Sequence, residues 1–376
     1  MKKFENYLSS EVLLKRKHPR KGDFRGEYFR DTTAIIHSYP FRRLKHKTQV
    51  FFSPKNDHIC TRIEHVLHVA SVAATICKAL DLDSDLAWAI GLGHDLGHTP
   101  FGHAGERIIR KIRTGKGGFN HELYSLRVVD HLIAYGKGLN LTYAVRDGIV
   151  THCGERFEQF ISIEREEKKL EGIKKLNRYP STWEGAVVRM SDKIAYLGRD
   201  VEDAIQLKVI DRQMIPELSR NVLGSSNSEI INTLVEDLIL TSRETGEIGF
   251  SDKIMEAVKV LRDFNYRFIY NHPVLTGYKQ YFERILKTLY HYLEDLFSVY
   301  GMDGQRYVSE NNLLAVRFGD YVEKMSSFYT ETDGGFDNLV TDYIAGMTDN
   351  YAMESVSEIM IPDKMEEQFR RFLMGN

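Results

Sequence analysis

The chain has 376 residues, 42% of them hydrophobic, enough for a sizeable core in one large domain or two smaller ones. Its 51 lysines and arginines nearly balance 53 aspartates and glutamates, so no global charge marks a nucleic-acid or membrane partner and any basic site must be local. The three cysteines, Cys60, Cys77 and Cys153, form no CxxC pair, and no apolar run approaches the roughly 20 residues of a membrane span, so a soluble cytoplasmic protein is expected.

Taken in chain order, the apolar residues recur at three and four positions almost throughout, which predicts an all-α chain. TQVFFS (48–53) is one of two short strand candidates. Thr61 and Glu64 then form a capping box, a hydroxyl and a glutamate three residues apart that satisfy free amides at a helix start. Helical spacing follows in HVLHVASVAATICKAL (65–80), SDLAWAIGLGHDLGH (84–98) and NHELYSLRVVDHLI (120–133). The mixed-charge run 154–181 reads as a solvated connection or exposed helix. A second capping box, Ser181 to Glu184, opens EGAVVRMSDKIAYLGRDVEDAI (184–205), and FIYNH (268–272) is the other strand candidate. Loop signals such as GSSNS and TDGGF punctuate the rest, and the segment after residue 215 is expected to form a second helical lobe.

The stretch GLGHDLGHTPFGHAGE (91–106) carries three histidines and two acids among glycines and apolar residues. His94 and Asp95 end an apolar helix, where an unpaired charge is costly, so they need a partner. A divalent metal supplies one, because imidazole nitrogen and carboxylate oxygen bind Mn, Fe, Co, Ni, Zn and, less readily, Mg. Upstream, His65 lies one turn into the Thr61-capped helix with Arg62 on the same face; downstream, Asp192, Tyr196 and Asp200 share a helical face beside Lys193. A single histidine on an apolar helix is ordinarily a hydrogen-bonded core residue, but the joint order His, His-Asp, Asp is a poor candidate for coincidence. Cys153 after His152 lacks any activating environment for a thiol nucleophile.

RDTTAIIHSYPFRRLKHKTQVF (30–51), TRIEHVLHVA (61–70), GLGHDLGHTPFGHAGE, FNHE (119–122), MSDKIAYLGRD (190–200), LRDFNYRFIYNHPV (261–274) and TDYIAGMTDNYA (341–352) occur in that order. Together they resemble the HD-domain superfamily, and within it the deoxyguanosine triphosphate triphosphohydrolase (dNTP triphosphohydrolase) family, over most of the chain. The resemblance implies an HD helical core over 40–210 and a C-terminal helical lobe over 215–376 that completes a nucleotide pocket. His65, His94, Asp95 and Asp192 match the family's metal ligands, with Mn²⁺ or Mg²⁺ favoured and Fe²⁺, Co²⁺, Ni²⁺ or Zn²⁺ allowed by the donor set. His98, His103, Glu106, His121 and Glu122 match a second cluster near the α-phosphate. His103 is the first choice for acid or nucleophile activation, oriented by Glu106, with His121 its support or competitor.

Arg62, Lys193, Tyr196 and Arg262 match phosphate-contacting positions. Gln49 and Asp200 match residues that bond the sugar 3′-hydroxyl, Tyr270 the ring that leaves no room for a 2′-hydroxyl, and Asn271 faces the base. The implied reaction is hydrolysis of a dNTP, dGTP among them, at the α-phosphorus to deoxynucleoside and tripolyphosphate. Two other readings stay open: an HD phosphohydrolase acting on another nucleotide such as a nucleoside monophosphate, and a nucleotide sensor or single-stranded nucleic-acid binder on the same scaffold. Family members commonly form tetramers or hexamers, and some are activated by dNTPs between subunits, which makes a homo-oligomer and a dNTP activator the expected partners.

Overall fold

Thr61 starts the helix Arg62–Ala79, its backbone N–H donating to Glu64 Oε2 at 2.7 Å as the capping box requires. The small side chains of this helix let Ser84–Gly93 come very near: a Cβ on Gly91 would lie 2.7 Å from Ala70 Cα, a separation that only glycine permits. The helix Tyr143–Thr151, every residue of which is buried, packs against Ser84–Gly93 in turn. All three rest on Trp183–Gln206, whose 24 residues span about 36 Å. Eighteen of its residues are buried, because Asn227–Thr245 and Asp252–Asn265 also pack against it.

The computed structural model describes residues 4–52, 58–115, 117–152, 157–173, 178–333 and 335–361. Among these are seventeen α-helices and one antiparallel ladder, Phe160–Ile161 against Ile248–Gly249, so the class is all-α. In the C-terminal part, Lys279–Tyr300 buries Leu286, Leu289, Leu293 and Leu296 along one stripe. It packs against Gly102–Ile112, Leu339–Ala345 and Asp349–Met360. One continuous apolar core links Phe4 to Ala352, and no helix among the described residues is long and apolar enough to cross a membrane.

Four local expectations are corrected. Thr182, not Ser181, caps the long helix: its hydroxyl accepts from Gly185 N–H at 3.1 Å. Ser181 is held elsewhere, its N–H donating to the buried Asp147 at 2.7 Å, and Glu184 accepts from Asp83 N–H and Asn6 Nδ2. FIYNH is no strand; Tyr266–Tyr270 continues Asp252–Asn265 as one π-helical turn, because that winding buries Ile269. The described residues of TQVFFS, 48–52, make only an isolated bridge, Thr48 to Thr61. The described part of 154–181 is a connection with no α-helix, and it is only partly solvated: Ile161, Lys168 and Leu170 are buried, Lys168 Nζ lying 2.8 Å from Asp147 Oδ1. Cys153 lies outside the described residues.

Candidate active site

A cavity of about 780 Å³ opens where these helices meet the C-terminal part. Gln49, Arg62, His65, Asp95, His98, His103, His121, Asp192, Lys193, Tyr196, Asp200, Arg262, Tyr270 and Asn271 line it, so the structure brings together residues more than 200 positions apart. His94, Glu106 and Glu122 are buried directly against those lining residues, at 3.4 Å from Asp95, 3.0 Å from His121 and 3.4 Å from His121.

At the floor, His65 Nε2 lies 3.0 Å from Asp192 Oδ1, and His94 Nε2 lies 3.4 Å from Asp95 Oδ1 and 3.9 Å from Asp192 Oδ1. His94 is the C-cap of Ser84–Gly93, and its Nδ1–H donates to Gly91 O at 2.7 Å. That bond leaves the Nε2 lone pair facing the two carboxylates, where it is buried and has no hydrogen-bond partner among the described residues. Two imidazoles, two carboxylates and an orphaned nitrogen aimed between them fit a divalent cation. Burial opposes ionisation of Asp95, yet His98, His94 and Arg62 hold it well below the usual carboxylate range. Asp192 is likewise held low against its burial, chiefly by His65. Burial lowers the pKa of His94, which favours the unprotonated form that a metal ligand requires.

The second cluster adjoins the first through His98, whose Nε2 is 3.1 Å from Asp95 Oδ1 and whose ring stacks on His121 at 4.1 Å. Glu106 Oε2 accepts from His121 Nδ1 at 3.0 Å and lies 3.4 Å from His103 Nδ1; Arg110 Nη2 donates to Glu106 Oε1 at 2.7 Å. Burial works against charge on His121, but Glu122 and Glu106 outweigh it and raise its pKa to about 9. The same neighbours, His103 and His121, hold Glu106 well below its usual range in spite of burial. Glu106 therefore grips His121 more closely than His103, whose side chain is 62% exposed and stands at the open side of the cavity.

Arg62 is buried and spends one donor on Asp95, Nη1 to Oδ2 at 2.6 Å, while its Nε and Nη2 have no acceptor among the described residues. Lys193 and Arg262 flank the ring of Phe157, at 5.0 and 5.6 Å from its centroid. Across the cavity, Tyr270 donates its hydroxyl to Asp200 Oδ2 at 2.6 Å. Burial raises Asp200 to about 7 even so. Gln49 presents a buried Oε1 without a partner, and Asn271 is exposed at the rim.

Sequence reasoning passed over His152, Phe157 and Asp349. His152 ends Tyr143–Thr151 as His94 ends its own helix, with Nδ1–H donating to Ile149 O at 2.7 Å and its ring 4.8 Å from that of His94. Burial, then His94 and His121, lower its pKa to about 3. The shared signal was legible: an imidazole directly after an apolar helix. Asp349, the first residue of Asp349–Met360, accepts Phe101 N–H at Oδ1 and Thr48 N–H at Oδ2, both at 2.9 Å. It thereby fixes the segment that carries Gln49 and the start of Gly102–Ile112, the helix that carries His103.

Residues 62–197 match the HD domain and residues 248–358 the phosphohydrolase-associated domain. The chain is similar to deoxyguanosinetriphosphate triphosphohydrolase-like proteins from three bacteria. That of Caldanaerobacter subterraneus subsp. tengcongensis is 38% identical over 362 residues, 96% of this chain and 92% of the relative. The one from Desulfatibacillum aliphaticivorans is 37% identical, covering 91% and 89%, and the one from Clostridium tetani 36%, covering 90% and 87%.

Proposed function

Because the chain belongs to the HD-domain family of deoxyguanosinetriphosphate triphosphohydrolase-like proteins, we propose that it is a metal-dependent dNTP triphosphohydrolase with dGTP among its substrates. The observation that carries this reading is the contact of His98 with both clusters: a His/Asp metal set and a Glu106–His121 pair share one wall of a cavity whose other side holds cations and a tyrosine. A monophosphate needs no such length of cationic wall.

His65, His94, Asp95 and Asp192 would hold one divalent cation, Mn²⁺ or Mg²⁺. When bound, the ion neutralises phosphate charge and lowers the pKa of water. Lys193 and Arg262, with the spare donors of Arg62, hold the triphosphate. Water attacks the α-phosphorus, a new P–O bond forms and the bond to the sugar 5′-oxygen breaks. The leaving oxygen takes a proton from an imidazolium, and the water's proton passes to solvent. The sequence puts His103 first for that donor; the raised pKa of His121 between Glu122 and Glu106 moves our proposal to His121, with the more open His103 its competitor. Gln49 and Asp200 bond the 3′-hydroxyl, while the Tyr270 ring occupies the room a 2′-hydroxyl needs.

The test is incubation with each dNTP, singly and mixed, with Mn²⁺ or Mg²⁺, followed by separation of the phosphate products. Tripolyphosphate with free deoxynucleoside supports the proposal. Pyrophosphate or orthophosphate moves the chain to another phosphohydrolase activity, and saturable binding without turnover makes it a sensor.

A further inference from the structure

Lys47 is 3% exposed, and among the described residues no carboxylate pairs with it. Lys168, also buried, is answered by Asp147 at 2.8 Å. Burial, followed by repulsion from Arg43, pushes the Lys47 amine well below the usual lysine range, and Asp349 and Asp95 attract it only from beyond hydrogen-bonding distance. What Lys47 meets instead is two backbone carbonyls: Nζ donates to His98 O and, at 3.1 Å, to Ala345 O. Carbonyl dipoles return less than a carboxylate would for an amine taken out of water, and an uncharged side chain fills such a place at lower cost. The position of the two carbonyls shows what the ties do.

His98 touches both clusters of the active site. Its backbone is held on either side of the ring, N–H to Asp95 O at 3.2 Å and carbonyl to Lys47. The ring itself lies 3.1 Å from Asp95 Oδ1 and stacks on His121 at 4.1 Å. Ala345 O stands at the end of Leu339–Ala345, in the C-terminal part. The same helix holds the other half of the stack. Tyr124, on the helix His121–Arg127, donates its hydroxyl to Asp342 O at 2.9 Å, and Arg127 reaches the Asp342 carboxylate at 2.6 Å. Each of the two stacked imidazoles is thus tied by its own short route to Leu339–Ala345.

We infer that Lys47 is a positioning residue, which together with Tyr124 registers the His98–His121 stack against Leu339–Ala345. It touches neither substrate nor metal in the proposed reaction and acts through the carbonyl of His98. The catalytic consequence rests on the reading of His121 as proton donor: a donor must stand within hydrogen-bond reach of the leaving oxygen, and a displacement of about 1 Å is costly there. A lysine suits the task because one nitrogen with several donors, on a flexible four-carbon stem, reaches carbonyls from two distant parts of the chain. The C-terminal part is then a reference frame for catalysis as well as a wall of the cavity.

The first readings are made in EDTA on the full chain with labelled histidine, so they stand apart from any turnover. In wild type the nuclear Overhauser effect between the His98 and His121 rings should be strong. Lys47→Met, which fills much of the same space without the donors, should weaken it at least twofold, and so should Tyr124→Phe, which loses one oxygen. In turnover of dGTP with Mn²⁺, kcat per metal-loaded chain should fall at least tenfold in Lys47→Met, with KM within threefold of wild type. Lys47→Arg, which keeps donors for both carbonyls, should regain at least a third of the wild-type kcat together with the ring contact. A ring contact unchanged in Lys47→Met and Tyr124→Phe overturns the inference. So does a loss of kcat that follows only the folded or metal-loaded fraction, the mark of a merely structural lysine. Should Lys47→Met fail to fold, Tyr124→Phe decides by the same ring contact and kcat. A wild type that turns over no dNTP refutes the proposed reaction alone, and the ring contact still decides the register.

Discussion

Replacing Glu106 with glutamine should lower the His121 pKa and flatten the protein's alkaline instability. In the folded chain His121 keeps its proton up to about pH 9, whereas an unfolded histidine loses it near 6.5. A group whose pKa rises on folding contributes stability that is fully present below the unfolded value and is lost as pH climbs through the folded one. Between pH 6.5 and 9 that loss amounts to about 3 kcal/mol. Glu106 Oε2, at 3.0 Å, and Glu122 Oε2, at 3.4 Å, share responsibility for the charge. Removing one of them should lower the His121 pKa by roughly one unit and cut the pH-dependent loss to about 2 kcal/mol. Urea unfolding of wild type and Glu106→Gln in EDTA, from pH 6 to 9, measures the slopes, and NMR of labelled histidine follows His121 directly. Parallel stability curves with an unshifted His121 titration would refute the reasoning. In turnover, the alkaline limb of the pH profile should move about one unit toward acid.

The Asp192→Ala variant should lose bound metal and activity together, turnover falling more than about a hundredfold, because Asp192 faces both His65 and His94; turnover retained without metal by elemental analysis would sink the ligand assignment. Tyr270→Ala should lower the preference for dGTP over GTP about tenfold or more in competition assays, and an unchanged ratio would remove the ring as a gate. Gly91→Ala should destabilise the fold by about 1–3 kcal/mol in urea, since its Cβ would meet Ala70 Cα at 2.7 Å. An unaltered midpoint would mean that the two helices are free to separate.

Local patterns were the legible part of this chain. The Thr61 cap, the helical period and the histidine-rich segment depend on residues within a turn or two of one another, and the helices stand where that chemistry puts them. Ser181 and Thr182 are adjacent hydroxyls, and only the buried Asp147, which claims the Ser181 amide, decides between them. FIYNH has strand-like composition, yet packing of Ile269 in the core overrides propensity. Within 154–181, the lysines and glutamates look alike until Asp147 draws Lys168 inside. Asp349 was beyond reach for a simpler reason. Its partners, Thr48 and Phe101, stand 301 and 248 positions away, and nothing in TDNYA announces them.

The two histidines that end apolar helices have a consequence for how such a chain can change length. His94 and His152 each aim a nitrogen from the terminus of a buried helix, with the ring pinned to the carbonyl three residues back. One residue added inside Ser84–Gly93 would swing His94 about 100° around the axis, and Gly91 and Gly93 fit their neighbours too closely for the helix to turn back. These segments behave as rulers of set length. Growth and loss of residues among relatives should therefore collect in connections such as 207–211, and an insertion upstream of either imidazole should empty the floor of the site while leaving most of the core intact.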